Sequence, residues 1–233
     1  MSKIAIIIPT YNEIKNIERL IKGVRKFLPK SYIYIIDDSH DSEIEQLLVK
    51  KKLKVEYLYR KKKGRGSAVL DGMKLAFRDK KFDLFIEMDA DYSHNPNELL
   101  SKIKFFKKKK LDMLIASRYL EESKIINWSL SRKILSKLSN NLAKFLLRIN
   151  INDFTNGYRF YSRRSIKKII SNCGKIGDGF IILSEIIVTL NRHNYKISEH
   201  PTIFLNRQRG KSSVNLKLIL QSLFGLIKLT FIK

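Results

Sequence analysis

Leu84-Phe85-Ile86-Glu87-Met88-Asp89-Ala90-Asp91-Tyr92-Ser93-His94-Asn95-Pro96 runs from an apolar stretch through a pair of carboxylates into a turn. A continuous apolar run of this kind is the signature of a strand buried on both faces of a parallel sheet. The two carboxylates flank one small residue where the strand ends, so they can share a divalent cation as hard oxygen ligands. Mg²⁺ takes few protein carboxylates and completes its shell with water and substrate phosphates, which suits a nucleoside diphosphate. In isolation an Asp-x-Asp is more often a surface loop or a cap. Here the strand before it and the turn after it favour the metal reading. Asn95-Pro96 then predicts an N-cap with proline at the first helical position, opening a helix that carries Leu99, Leu100 and Ile103.

Working outward, the same apolar signature recurs at Ile4–Ile8, Tyr32–Ile36, Val55–Leu58 and Met113–Ala116. Helical segments lie between these strands, the first with Ile14, Ile17, Leu20, Ile21 and Val24 at helical spacing. Ser42 and Glu45 have the spacing of a capping box for the next helix. Strands alternating with amphipathic helices predict an α/β fold around a mostly parallel central sheet. Ligands of such sheets bind outside the carboxyl ends of the strands. Three polar clusters fall there: Pro9-Thr10-Tyr11-Asn12-Glu13, Asp37-Asp38, and Asp89-Ala90-Asp91. A carboxylate at Asp37 or Asp38 can accept hydrogen bonds from a ribose or a base, or can simply favour a helix N-terminus. Gly64-Arg65-Gly66-Ser67-Ala68 opens a helix and suits either close backbone approach to a phosphate or a plain turn.

Beyond residue 120 the pattern turns helical. Trp128–Arg148 is amphipathic, with Ile134, Leu138, Leu142 and Phe145 on one face and Arg132, Ser136 and Asn140 on another. A last helix over Val214–Ile232 carries a narrow polar stripe of Lys217, Gln221 and Lys228. Its broad apolar face predicts an interfacial helix, against the alternative of a core-packed terminal one. The chain therefore divides into a domain over 1–213, containing the 128–148 helix, and an interface helix over 214–233. Arg118, Arg132, Ser136, Arg207 and Lys211 are the basic and hydroxylic candidates for holding phosphates. The scattered His40, His94, His193 and His200 lack metal or triad spacing and read as structural.

Composition sets the bounds. The 233 residues are 44% hydrophobic, enough for one substantial domain. A net charge of +25 points toward an anionic partner, whether phosphate-rich substrate, membrane surface or nucleic acid. No standard nucleic-acid signature is present, so no nucleic-acid partner is expected. The single Cys173 excludes an intramolecular disulfide. The N-terminal apolar run lacks the length and cleavage site of a signal peptide, so none is expected.

These stretches together resemble the dolichyl-phosphate (polyprenyl-phosphate) mannosyltransferases of glycosyltransferase family 2. The resemblance covers 9–13, 64–68, 88–94, Ala116-Ser117-Arg118-Tyr119, Asn127-Trp128, Asp153-Phe154-Thr155-Asn156-Gly157-Tyr158-Arg159 and Asn206-Arg207-Gln208-Arg209-Gly210-Lys211-Ser212, in family order. It implies a GT-A fold and an inverting transfer of mannose from GDP-mannose to dolichyl or polyprenyl phosphate at the cytoplasmic face of a membrane. By resemblance, Pro9, Tyr11, Glu13, Asp37, Asp38, Gly66, Asp89, Ala90, Asp91 and Lys211 contact the nucleotide sugar. Asp89, Asp91 and Ser93 hold Mg²⁺ or Mn²⁺, while Arg118, Arg132, Ser136 and Arg207, with Asp91, carry the transfer. The loop Asp37-Asp38-Ser39-His40-Asp41-Ser42 departs from the family pattern in being shorter and lacking a glycine. A UDP-sugar donor therefore stays open, as does a non-catalytic basic module.

Overall fold

The computed structural model describes residues 3–61, 64–207 and 216–231, the side chains of 216–220 excepted. The first half alternates strand and helix as the apolar runs predict. β1 (Lys3–Thr10), α1 (Ile14–Phe27), β2 (Tyr32–Asp37), α2 (Glu43–Lys50) and β3 (Glu56–Tyr59) come first. α3 (Arg65–Phe77), β4 (Phe82–Glu87), α4 (Leu99–Lys108) and β5 (Met113–Ser117) follow. A short 3₁₀ turn, Pro96–Glu98, precedes α4, and Asn95 caps it by accepting from the Asn97 N–H at 3.0 Å. Ser42 stands at the head of α2 without capping it; its Oγ accepts from Gln46 Nε2 instead, so the expected capping box does not form.

The second half is less helical than its sequence pattern. Between β6 (Lys124–Ile126) and β9 (Ile203–Leu205) lie α5 (Leu130–Leu147), β7 (Arg159–Ser162), α6 (Arg163–Asn172), α7 (Ile181–Arg192) and β8 (Ile197–Pro201). The last element is α8 (Leu216–Phe231). The main sheet has the order β3-β2-β1-β4-β7-β5-β8, parallel except for β7, which runs antiparallel to both β4 and β5. Its short sequence, Arg159-Phe160-Tyr161-Ser162, begins with a charged residue and carries no apolar run to betray a central strand. Arg159 is nonetheless fully buried, with Nε, Nη1 and Nη2 donating to the carbonyls of Asn156, Leu183 and Phe154 at 2.7, 2.7 and 2.9 Å. Every charged donor group thus has an acceptor, as burial demands. Those bonds also pin the loop that precedes β7.

Both faces of the sheet are covered. Ile6, Ile8, Ile33, Ile35 and Ile86 pack toward α1, α2 and α4. Ala5, Ile7, Ile36, Phe85 and Ile115 pack toward α3, α6 and α7. α8 joins this second layer through buried Leu226 and Leu229. The chain proceeds outward from β1 to β2 and β3, then returns to place β4 on the other side of β1. That reversal leaves a crevice at the carboxyl ends of β1 and β4, the place where open α/β sheets bind ligands.

Candidate active site

The carboxyl end of β2 supplies the first correction. Asp37 is fully buried and accepts four hydrogen bonds: from Thr10 Oγ1 at 2.8 Å, Ser39 N at 3.0 Å, Ser39 Oγ at 2.6 Å and Tyr57 OH at 2.9 Å. Burial and this carboxylate push the Tyr57 phenol above its usual pKa. Asp38 also turns inward. Its Oδ2 accepts from Gly64 N at 2.8 Å and its Oδ1 lies 3.3 Å from Arg60 Nε, and burial raises its pKa. Asp37, expected to face the nucleotide, is spent on tying β1, β2 and β3 together, while Asp38 tethers the start of α3 and keeps Oδ1 without a hydrogen bond among the described residues. The exposed wall beside them is Tyr11, whose hydroxyl sits 3.4 Å from His40 Nε2 with the rings edge-on. Pro9 is buried within β1, in register with Ile36.

Gly66 is the second correction. Its N–H and that of Ser67 both donate to the Asp178 carbonyl, at 2.8 and 3.1 Å. A Cβ at residue 66 would collide with the Gly179 carbonyl. The glycine therefore admits close packing of α3 on the segment before α7, and the Gly66 and Ser67 amides are already engaged.

At the end of β4 the two aspartates flank a sharp turn. Tyr92, at φ 63°, adopts the left-handed conformation that turns the chain sharply between Asp91 and Ser93. Asp89 Oδ1 accepts from Arg65 Nε and Nη2 at 3.0 and 2.6 Å. Burial would raise the Asp89 pKa, but the Arg65 guanidinium outweighs it and holds the carboxyl down to about 2. The Asp89 N–H donates to His94 Nδ1 at 3.0 Å, which leaves the imidazole proton on Nε2, facing Asn156 Oδ1 at 2.9 Å. His94 stacks on Tyr158, with ring centroids 5.0 Å apart. Asp91 Oδ1 accepts from Ser93 N at 3.0 Å, and its Oδ2 lies 3.1 Å from Arg207 Nη2. Arg207 also reaches Glu13 Oε1 at 3.7 Å. Burial raises the Glu13 pKa, and the Asp91 and Asp89 charges add to the effect, against a bond from Asn16. Ala90, small and buried, lets the two aspartates flank one turn.

These residues fit a divalent cation. The Asp91 Oδ2 already attracts a cationic group, and Ser93 Oγ is buried without a hydrogen-bond partner among the described residues. All the available donors are hard oxygens. No cluster of three or more His, Cys, Asp or Glu side chains forms a ready cage among the described residues. The set suits an ion that draws much of its shell from water and phosphate.

Opposite the carboxylates lies a group of arginines. Arg118 is buried and grips Asp153 through Nε at 2.8 Å and Nη2 at 2.7 Å; Nη2 also donates to Thr155 Oγ1 at 2.6 Å. Its Nη1 has no hydrogen-bond partner among the described residues. Arg132 stacks 4.1 Å over the Trp128 ring and donates to Asn206 Oδ1 at 3.2 Å. Burial, then repulsion from Arg207 and Arg118, lowers the Arg132 pKa, so the three guanidiniums share one field. Ser136 Oγ accepts from Tyr119 OH at 2.5 Å. Asn140, on the same face of α5, is buried and accepts from Phe154 N at 2.7 Å, fixing the loop that carries Asp153. Trp128 Nε1 is buried with no acceptor among the described residues. Lys211 lies outside the described residues.

The structure therefore gathers Glu13, Asp89, Asp91, Ser93, Arg118, Arg132, Ser136 and Arg207 around one crevice. It adds Arg65, Glu87, Asp153 and Trp128, to which the sequence alone assigned no role. The signal for Asp153 was its place in the 153–159 run. Arg65 likewise lay in the 64–68 run, but its pairing could not be read there, because its partners come from β4.

Residues 5–170 match glycosyl transferase family 2. The chain belongs to that family. Polyprenol monophosphomannose synthase of Mycolicibacterium smegmatis is 30% identical over 224 residues, which cover 94% of this chain and 83% of that protein. Undecaprenyl-phosphate mannosyltransferase of Micrococcus luteus is 28% identical over 218 residues, 91% of this chain and 88% of the other. Among solved structures, glucosyl-3-phosphoglycerate synthase of Mycobacterium tuberculosis, in complex with Mn²⁺, UDP and glucosyl-3-phosphoglycerate, aligns with a TM-score of 0.72. That likeness spans all of this chain and 81% of the other at 14% identity, and it shows the GT-A fold. The same enzyme with Mn²⁺, UDP and phosphoglyceric acid aligns equally, at 0.72 and 13% identity.

For this family 2 glycosyltransferase the arginines divide by role. Asp153→Asn leaves the buried Arg118 without its counter-charge and should lower unfolding free energy by about 3–5 kcal/mol. Arg132→Ala, at the half-buried rim, should change it by less than about 1 kcal/mol. Urea denaturation of the two variants checks both, and equal losses would contradict the division.

Proposed function

We propose that this glycosyltransferase transfers mannose from GDP-mannose to a polyprenyl phosphate such as dolichyl phosphate, with inversion at the anomeric carbon. The observation that carries the reading is the crevice itself. A carboxylate pair suited to a metal-bound diphosphate faces three arginines suited to phosphate oxygens, and exposed apolar helices lie beside them. The names of the two curated relatives support the same acceptor class and the same sugar.

Asp91 and Asp89, with Ser93, would hold Mg²⁺ or Mn²⁺, which when bound supplies Lewis-acid stabilisation of the departing diphosphate. The acceptor phosphate is an anion at neutral pH, so its oxygen attacks the anomeric carbon without a protein base. One carbon–oxygen bond forms to that phosphate as the bond to the diphosphate breaks, and the nucleoside diphosphate leaves. Arg118, through its free Nη1, and Arg132 and Arg207 align the acceptor and neutralise its charge. Tyr119 and Ser136 shape the wall between them, and Trp128 offers one further donor. Catalysis is then alignment plus preorganised charge stabilisation. Tyr11 and His40, rather than Asp37 and Asp38, present side chains toward the donor's base.

Purified protein with dolichyl phosphate, Mn²⁺ and labelled GDP-mannose, UDP-glucose or UDP-N-acetylglucosamine should transfer label to the organic phase from GDP-mannose alone. Asp91→Ala should abolish it. Transfer from a UDP-sugar instead would replace the donor assignment, and full activity in Asp91→Ala would remove the metal role.

The acceptor's chain would lie in a membrane, on the cytoplasmic face as the resemblance implies. No helix among the described residues is long and apolar enough to cross a bilayer. α5 and α8 pack together and expose Leu130, Ile134, Leu138 and Phe145 on one and Phe224, Ile227 and Phe231 on the other, with Phe145 78% and Phe231 80% exposed. Lysines flank this face, as on helices that lie in a membrane interface. Leu138→Glu with Phe145→Glu should weaken binding to liposomes containing anionic lipid while sparing GDP binding. Unchanged partitioning would contradict membrane docking by this face.

A further inference from the structure

Arg65 opens α3, yet it lies beneath the Asp89–Asp91 turn and its side chain is only 14% exposed. Besides its two bonds to Asp89 Oδ1, its Nη1 lies 2.8 Å from Glu87 Oε1, and the other Glu87 oxygen accepts from Tyr161 OH at 2.8 Å. Gly157 makes room for the guanidinium, since a Cβ there would collide with Arg65 Nη2. Phe180 lies on another side, its ring centroid 5.7 Å from Cζ. The Arg65 guanidinium is thus enclosed by a glycine, an aromatic ring and two carboxylates.

Asp91 is held differently. Its cation, Arg207, comes from the strand-β9 end of the chain, sits at the rim, and divides itself between Asp91 at 3.1 Å and Glu13 at 3.7 Å. One carboxylate of the pair therefore has a built-in counter-ion and the other an exchangeable one. Affinity for a divalent cation follows the charge and number of its ligands. With Asp89 Oδ1 already committed, the turn offers a divalent ion little more than Asp91, the Ser93 hydroxyl and the remaining Asp89 oxygen, itself 3.6 Å from His94 Nε2.

We propose that Arg65 is a positioning residue that fixes Asp89 and lowers the charge of the carboxylate pair, so that a divalent cation is retained only together with a diphosphate. The inference rests on the reading of Asp91 as a metal ligand given above. A site of this kind lets the ion enter and leave with the nucleotide and does not trap it between turnovers. Ligand oxygens from the diphosphate replace those that Arg65 withholds.

The test is Mn²⁺ binding followed by electron paramagnetic resonance, with and without GDP, and needs no turnover. Wild type should bind Mn²⁺ weakly alone and at least about tenfold more tightly with GDP. Arg65→Met with Glu87→Gln removes one charge of each sign, so long-range electrostatics are unchanged while Asp89 is freed. It should bind Mn²⁺ alone at least about tenfold more tightly than wild type, with a smaller gain from GDP. Gly157→Ala, which displaces the guanidinium without altering any charge, should shift both quantities the same way. Arg65→Lys, retaining the cation but not the two-pronged grip, should fall between and carries the test where the double variant does not fold. Variants that bind Mn²⁺ and respond to GDP like wild type would overturn the inference alone. Wild type that binds no Mn²⁺ even with GDP would overturn the metal reading and this inference together.

Discussion

Everything at the crevice depends on the pairing of Asp89 with Arg65. β4 runs through the middle of the sheet and delivers Glu87 into full burial, where an unpaired carboxylate is expensive, and Asp89 to the partly exposed edge beyond it. A guanidinium compensates both, because its planar fork can grip Asp89 with two donors while a third faces Glu87. That requirement fixes the start of α3 directly beside the end of β4. Gly66 and Gly157 are the local consequences: one lets α3 close on the segment before α7, and the other leaves space for the guanidinium itself.

The remaining charges are paired at differing depths. Arg118 is buried on Asp153, whereas Arg132 is half covered and stacked on Trp128. Arg207 reaches over the rim to Asp91 and Glu13. The deep pairs hold geometry, and the shallow ones are available to exchange a protein partner for a ligand. Charges placed in advance in this way need no reorganisation when negative charge moves from acceptor to leaving group, which is the economy of a preorganised site. The apolar surface of α5, the helix that carries Arg132, borders this group. A phosphate with a long hydrocarbon tail would meet both features together.

Much of this was legible in the sequence. Five strands of the parallel sheet declared themselves because burial on both faces demands unbroken apolar runs, and the acidic clusters fell at their carboxyl ends. The Asp89–Asp91 turn and the arginines of the second half lie around one crevice, as a reading by residue type expects of a phosphate site. The failures have a common cause: a residue's type does not say which way it faces. Asp37 had the right position for a nucleotide, but Thr10, Ser39 and Tyr57 use up its oxygens. β7 hid behind its leading Arg159, whose burial is intelligible only once the carbonyls around it are known. Arg65 was one basic residue among many until β4 came to lie beside α3. α8 looked amphipathic in a single sense, yet it buries one stripe in the core and exposes another.

The central claim is that the Asp89–Asp91 turn is a cation site in which Asp91 exchanges Arg207 for a metal-bound diphosphate while Asp89 keeps Arg65. A crystal structure with Mn²⁺ and GDP, using anomalous scattering to locate the ion, addresses it most directly. The ion should lie within about 2.2 Å of an Asp91 oxygen, with Arg207 moved away and Arg65 still on Asp89. A GDP complex in which Arg207 remains on Asp91 and no anomalous peak adjoins that carboxylate would contradict the account.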